Sequence, residues 1–144
     1  TWPPHKDVAI THAYIEDVRL PGYGSPSCYE WVIELKNSNQ IIGSIGAVSC
    51  NEAVGSVHIG YCLGRTWWRQ GIMSEALRTV MEFFFTRVGV NKVESRHDPK
   101  NPNSGRVMVA CGMKYEGTIR WSDINNQGIC DAAWYGILRS EYQE

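Results

Sequence analysis

The chain has 144 residues, with 14 basic and 15 acidic side chains and a net charge of −1. Its length suits one domain, residues 1–144, and a composition of 43% hydrophobic and 20% charged residues can bury a sizeable core, which excludes a disordered or collagen-like chain. The even balance of charge argues against a protein that neutralises nucleic-acid phosphates or coats an anionic membrane, so a small or neutral partner is expected.

Five cysteines, at positions 28, 50, 62, 111 and 130, form no CxxC pair. An odd number without that spacing signals neither a disulfide framework nor a zinc site, and reduced thiols in a cytoplasmic protein are expected. No run approaches the roughly 18 apolar residues of a membrane span, and no secretory leader is expected. The sequence opens on Thr1 rather than Met, which points to an amino end lying outside it.

The segment from Thr1 to Leu20 opens with a Pro-Pro turn and spaces Val8, Ala9, His12, Ile15 and Val18 at helical intervals, predicting an amphipathic helix that Pro21 to Ser27 ends. Trp31 to Leu35, the polar Asn37-Ser38-Asn39 and Ile41 to Val48 read as an antiparallel hairpin. A third strand, Gly55 to Leu63, sets Val57, Ile59, Tyr61 and Leu63 on one face. Gly71 to Val88 is the longest periodic segment, a helix with Met73, Leu77, Val80, Phe84 and Val88 along one side.

Lys92 to His97 reads as a strand. Asn101-Pro102 opens a short helix that Gly112 stops, since Asn caps, Pro suits the first helical position and Gly suits the position past the end. Two strands close the chain, Met113 to Asp123 and Gly128 to Leu138, joined by an Asn125 to Gly128 turn. This order of elements predicts an α/β (α+β) fold with a crossover through Gly71 to Val88.

Between the third strand and the long helix lies Trp67-Trp68-Arg69-Gln70-Gly71-Ile72-Met73-Ser74-Glu75. A short loop at a helix N-terminus leaves backbone N–H groups unpaired, Gly71 admits close approach of a phosphate, and the helix dipole favours an anion there. A plain strand-to-helix connection explains the same residues equally well.

Together, IGYCLGRTWWRQGIMSEAL, then KNPNSGRVMVACGMKYEGTIR, then AAWYGILRSEY, with the early TWPPH and the IIGSIG hairpin, resemble the GNAT superfamily of N-acetyltransferases, and more narrowly its RimJ/RimL type. The resemblance covers nearly the whole chain. It implies a mixed, mostly antiparallel sheet with splayed central strands, and acetyl-CoA as co-substrate without a metal. In such enzymes a (Gln/Arg)-x-x-Gly-x-(Gly/Ala) loop holds the pyrophosphate; the matching positions are Trp68, Gly71 and Met73, of which only Gly71 keeps its type. The resemblance therefore implies backbone donors over Arg69, Gln70, Gly71, Ile72, Met73 and Ser74, and a pantetheine arm beside the strand through Ile59, Gly60 and Tyr61. It also implies an amide contact to the cofactor from Asn101 and a hydroxyl near the thioester sulfur from Ser104. An N-cap and a first-turn polar residue are the structural alternatives for that pair. Many members carry a tyrosine four residues past that serine as general acid; Met108 stands there, leaving Ser104 as the nearest proton donor.

Acetyl transfer needs a neutral amine, an oriented thioester, carbonyl polarisation and a stabilised leaving thiolate. An α-amino group with a pKa near 8 is easier to deprotonate than a lysine near 10.4 by about 3.4 kcal/mol, so an N-terminal acceptor asks less of a base. Asp123 is the chosen base, with a turn aspartate as its structural alternative; Glu75 and Asp131 are lesser candidates, and His58 and His97 are strand histidines. Trp67, Trp68, Tyr61 and Trp121 could line a slot for the acceptor or cover the pantetheine. Cys62 and Cys111 are expected to be small buried apolar residues.

Members of this family usually carry a strand and a helix ahead of the TWPPH-like segment, one edging the sheet and one walling the acceptor site. Without them, a homodimer or strand-swapped oligomer would be one way to cover the edge. The expected function is transfer of an acetyl group from acetyl-CoA to a primary amine, in a protein, a peptide or a small molecule, by direct attack in a ternary complex. The alternative is a non-catalytic acyl-CoA-binding or interaction module.

Overall fold

The computed structural model describes residues 5–25 and 29–142. The Pro3-Pro4 turn and Cys28 lie outside the described residues. Asp7 caps the first helix, α1 (Val8–Tyr14), by accepting the Ile10 N–H at 2.9 Å. The helical path then loosens into a π-helical turn, Ile15–Arg19, and a 3-10 turn, Leu20–Gly24. The predicted apolar side is present but faces outward: no residue of α1 is buried, and Val8, Ile15 and Val18 are exposed. The amphipathic spacing was legible, whereas its burial was not, because burial needs a second apolar layer that the described chain does not bring against it.

Strand β1 (Glu30–Leu35) pairs antiparallel with β2 (Gln40–Asn51), and β2 pairs antiparallel with β3 (Ser56–Leu63). Helix α2 (Ile72–Phe83) runs on through a π-helical turn, Phe84–Val88, to Gly89 at φ +85°. Val88, predicted to face inward, is exposed, since the wider turn rotates it off the apolar side. Then follow β4 (Lys92–His97), α3 (Pro102–Ala110), β5 (Lys114–Asn125) and β6 (Gly128–Leu138). The last hairpin turns on Asn126 and Gln127 alone, because β5 runs two residues past Asp123.

The sheet order is β1-β2-β3-β4-β6-β5, with β3 and β4 its one parallel pair among the described strands. The crossover through α2 makes that pair, as a parallel connection requires. Helices α2 and α3 share one face: Met73, Leu77, Val80 and Met81 from α2, Phe84 from the π-helical turn that continues it and Met108 from α3 close over Val57, Ile59, Val93 and Ile137 of the sheet. Arg78 ties the two helices by donating to the Ala110 carbonyl at 2.6 Å. This is the mixed α/β, mostly antiparallel architecture expected from the sequence. Cys111 is buried as expected, but Cys62 is exposed, because it alternates with Tyr61 onto the opposite face.

Candidate active site

Strands β3 and β4 are paired only at Ser56↔Lys92, Val57↔Val93 and His58↔Glu94. Beyond those rungs the strands part, and side chains take over. Ser95, 1% exposed, donates its hydroxyl to the Ile59 carbonyl at 2.7 Å, satisfying a backbone acceptor that a continuous ladder would have filled. Ser95→Ala is expected to leave that buried carbonyl unpaired and to lower unfolding stability by about 1–3 kcal/mol, measurable by denaturant titration. The Tyr61 hydroxyl crosses the gap further out and donates to the Ser104 carbonyl at 2.9 Å, so β3 is pinned to α3. Burial pushes the Tyr61 phenol above its ordinary range, which keeps it protonated as that donor.

The opening is a cleft of about 430 Å³, lined by Tyr61, Cys62, Leu63, the run from Trp67 to Ser74, and Asn101, Asn103, Ser104, Arg106 and Val107. Its floor is the turn into α2. Trp68 Nε1 donates to the Leu63 carbonyl at 2.8 Å and Gln70 Nε2 to the Thr66 carbonyl at 3.1 Å, fixing the loop from both sides. The backbone turns left-handed at Arg69 (φ +61°) and again at Gly71 (φ +79°), which gathers successive amides to one side as in a backbone anion nest. The helical ladder opens with the Glu75 N–H bonding the Gly71 carbonyl at 3.0 Å, so the Ile72, Met73 and Ser74 amides stand ahead of it. A side chain at Gly71 would project into open space, with nothing within 4 Å of its Cβ. With Arg69 and Arg106 on the walls, this cradle fits a phosphate-bearing ligand by dipole, donor geometry and charge.

At the opposite wall, Asn101 sits at the start of α3 but its side chain does not cap the helix. Its Nδ2 donates to Ser104 Oγ at 3.1 Å. With that acceptor site filled, the Ser104 proton is free to point into the cleft. Asn101 does occupy the N-cap position and Ser104 the first turn, as the plain alternatives have it, but the Asn101 amide serves the serine hydroxyl rather than a backbone N–H.

The cleft therefore gathers Tyr61, Arg69, Gln70, Gly71, Ile72, Met73, Ser74, Asn101 and Ser104, together with Trp67 and Trp68. Ile59 is not among its walls: the side chain is fully buried and its carbonyl is taken by Ser95. Trp121 stands outside it, 81% exposed at φ +52° on a bulge of β5, where its N–H bonds Asp131 at 3.0 Å. Glu75 lines a different, apolar groove between β1 and α2.

Asp123 lies on the sheet face away from α2 and α3, in a bidentate pair with Arg96: Nε to Oδ2 at 2.7 Å and Nη2 to Oδ1 at 3.3 Å. The guanidinium hydrogen bonds hold its carboxyl below the usual aspartate range. Arg96 Nη1 also reaches His58 Nδ1 at 3.2 Å, and the guanidinium carbon stands 5.2 Å from the Trp134 ring centroid. His58 is buried and neutral, its pKa lowered to about 4 by burial and by Arg96. On the helical face, His97 donates from Nδ1 to the Asp98 carbonyl at 2.8 Å, and its Nε2 is buried under Gly105, where an added Cβ would come within 2.6 Å. No motif in the sequence marks Arg96 or Ser95; the one signal was alternation along β4, which sends Arg96 to the face opposite Ser95 and His97.

Among the described residues no helix is long and apolar enough to cross a membrane. The family described as Acetyltransferase (GNAT) domain matches residues 1–114. An uncharacterized N-acetyltransferase, p20, of Bacillus licheniformis is 27% identical over 128 residues, covering 89% of this chain and 70% of that protein. A putative ribosomal-protein-serine acetyltransferase of Vibrio cholerae superposes with a TM-score of 0.84 at 19% identity, covering 95% of this chain and 78% of that one. The microcin C7 self-immunity acetyltransferase MccE, solved with acetyl-CoA and AMP, superposes with a TM-score of 0.79 at 20% identity, covering 92% of this chain and 72% of that one. The family's sequence pattern spans most of the chain and its fold is the one built here, so this protein belongs to the GNAT family of N-acetyltransferases, which move an acetyl group from acetyl-CoA to an amine.

Proposed function

We propose that the cleft between β3 and α3 binds acetyl-CoA and that the acceptor is an α-amino group of a protein or peptide, or a small primary amine, in the manner of the RimJ/RimL type. The observation that carries the reading is the amide nest at Arg69 to Ser74 opening onto the same cleft as the Asn101–Ser104 pair. The nest and the two arginines suit the pyrophosphate, and the parted edge of β3 near Tyr61 suits the amide-bearing pantetheine arm. The bound thioester supplies the activated acetyl group.

The chain's own contributions are orientation and proton handling. Asn101 fixes the Ser104 hydroxyl as a donor toward the position of the leaving sulfur, a role that Met108, buried in the core, cannot fill. Asp123, the base suggested by the sequence, stays ionised but is bonded to Arg96, so it serves better by fixing Arg96 or an intervening water than by taking a proton directly. An acceptor with a pKa near 8 is already about a tenth neutral at pH 7, so weak base assistance suffices for an α-amino group.

Calorimetric titration of acetyl-CoA followed by a thiol-release assay over peptide N-termini and small amines tests this. Micromolar binding with turnover is expected. Ser104→Ala is expected to leave acetyl-CoA affinity within about threefold and to lower kcat by about 10²-fold, the ordinary size of an acid–base contribution. Binding without turnover across the whole panel would overturn the enzyme reading in favour of an acyl-CoA-binding module.

A further inference from the structure

On the sheet face away from the cofactor cleft, one guanidinium touches side chains from three other strands: His58 of β3, Asp123 of β5 and Trp134 of β6, all around Arg96 of β4. His58 and Glu94 form the last backbone rung before β3 and β4 separate, and Arg96 lies two residues past Glu94 on β4. The Arg96 to His58 bond is therefore a link between the two parting strands on this face, as Ser95 to Ile59 is on the other. Asp123 sits where β5 rejoins β6 after its bulge, and its bidentate pair holds that bulged strand to β4.

We propose that Arg96 is a positioning residue for acetyl transfer: its guanidinium, bridging β3, β4 and β5, sets how far the cleft strands part and so where β3 presents the thioester to Ser104. The inference rests on the cleft being the acetyl-CoA site. It follows from reach. The four guanidinium-centred contacts lie at one end of the wedge, while the phosphate cradle at Gly71 lies at the far end of β3, beyond Leu63. A small change in the wedge angle would shift β3 at Tyr61 against Ser104 of α3, while the cradle, carried on β3, keeps its internal geometry through the Trp68 to Leu63 and Gln70 to Thr66 bonds. Fork geometry is essential, since one planar group must satisfy Asp123 and His58 at once; an ammonium offers no such fork.

Three single variants, one double variant and three measurements decide it. Arg96→Gln, Arg96→Lys and Asp123→Asn are compared with the parent by backbone amide NMR of the free protein and by steady-state kinetics with calorimetric acetyl-CoA affinity. The expected result is a folded protein in which the Ile59 to Cys62 amides shift, acetyl-CoA affinity stays within threefold, and kcat falls at least tenfold. Asp123→Asn should show the same pattern, and the Arg96→Gln/Asp123→Asn double variant should be no slower than the slower single. Lysine at 96 should not restore kcat. The proposal is overturned if the Ile59 to Cys62 amides keep their positions, if kcat stays within threefold, or if lysine restores it. Should the parent bind acetyl-CoA but turn over no amine, the enzyme reading falls, and the amide positions alone decide for or against the bridge.

Discussion

Replacing Gly71 with valine is expected to weaken acetyl-CoA binding at least 100-fold, about 2.7 kcal/mol, while leaving the fold standing. The argument has two parts. Gly71 is at φ +79°, where a β-branched residue is strained by about 1–3 kcal/mol, and the backbone can relieve that strain only by turning its amides away from the nest. If the conformation is kept instead, the new side chain stands in the open space that the ligand phosphate would need, since nothing of the protein lies within 4 Å of that Cβ. That same openness is why the core is not disturbed, and the thermal midpoint is expected to fall only by the several degrees that the backbone strain accounts for. Gly71→Ala should fall between the two. Calorimetric titration with acetyl-CoA reads the effect, and an unchanged affinity in the valine variant would remove the phosphate-cradle assignment.

A second large effect is a loss of stability in acid that one residue dominates. His58 titrates at about 4 in the fold against an ordinary 6.5, so between those values the unfolded chain binds a proton that the native protein does not. Its contribution is fully present above pH 6.5 and is lost as the pH falls toward 4, amounting to roughly 2–3 kcal/mol. Arg96 drives the same direction, because protonating His58 would set two cations 3.2 Å apart, while Glu94 and Asp123 nearby oppose it. Asp123, lowered by Arg96, adds a loss of the same sign at more acid pH. Urea midpoints measured from pH 7 to pH 4 should show the fall, and His58→Gln should flatten it across that range. An equal slope in the variant would place the proton uptake elsewhere.

Strand β3 and the long helix were legible because their periodicities coincide with their burial. Val57, Ile59 and Tyr61 alternate on β3, and Leu77, Val80 and Phe84 repeat along α2, so pattern and core agree. Val88 failed because a π-helical turn breaks the 3.6-residue period locally, which no spacing rule anticipates. The turn into α2 was readable from one glycine in a strand-to-helix loop, and its assignment as a phosphate cradle rests on the resemblance. Asn101 was read as a cap or a ligand contact; it stands at the N-cap position, and its amide bonds the Ser104 hydroxyl rather than a backbone N–H, a local choice of partner that composition does not decide. Arg96 carried only the alternation of β4, which gives its face and not its partners, since these lie 27 to 38 residues away in sequence on three other strands.

Three protein groups span the parting of β3 and β4: a serine hydroxyl on one face, a guanidinium on the other and a phenol across the gap. The chain has met the cost of separating the strands during folding. A ligand therefore finds the slot ready and gives up little of its affinity to ordering the backbone. Association should be governed by diffusion and by steering from the arginines at the rim, and the sheet of the free and loaded protein should superpose closely. Conformational change during acyl transfer is accordingly expected in the peripheral segments rather than in the sheet.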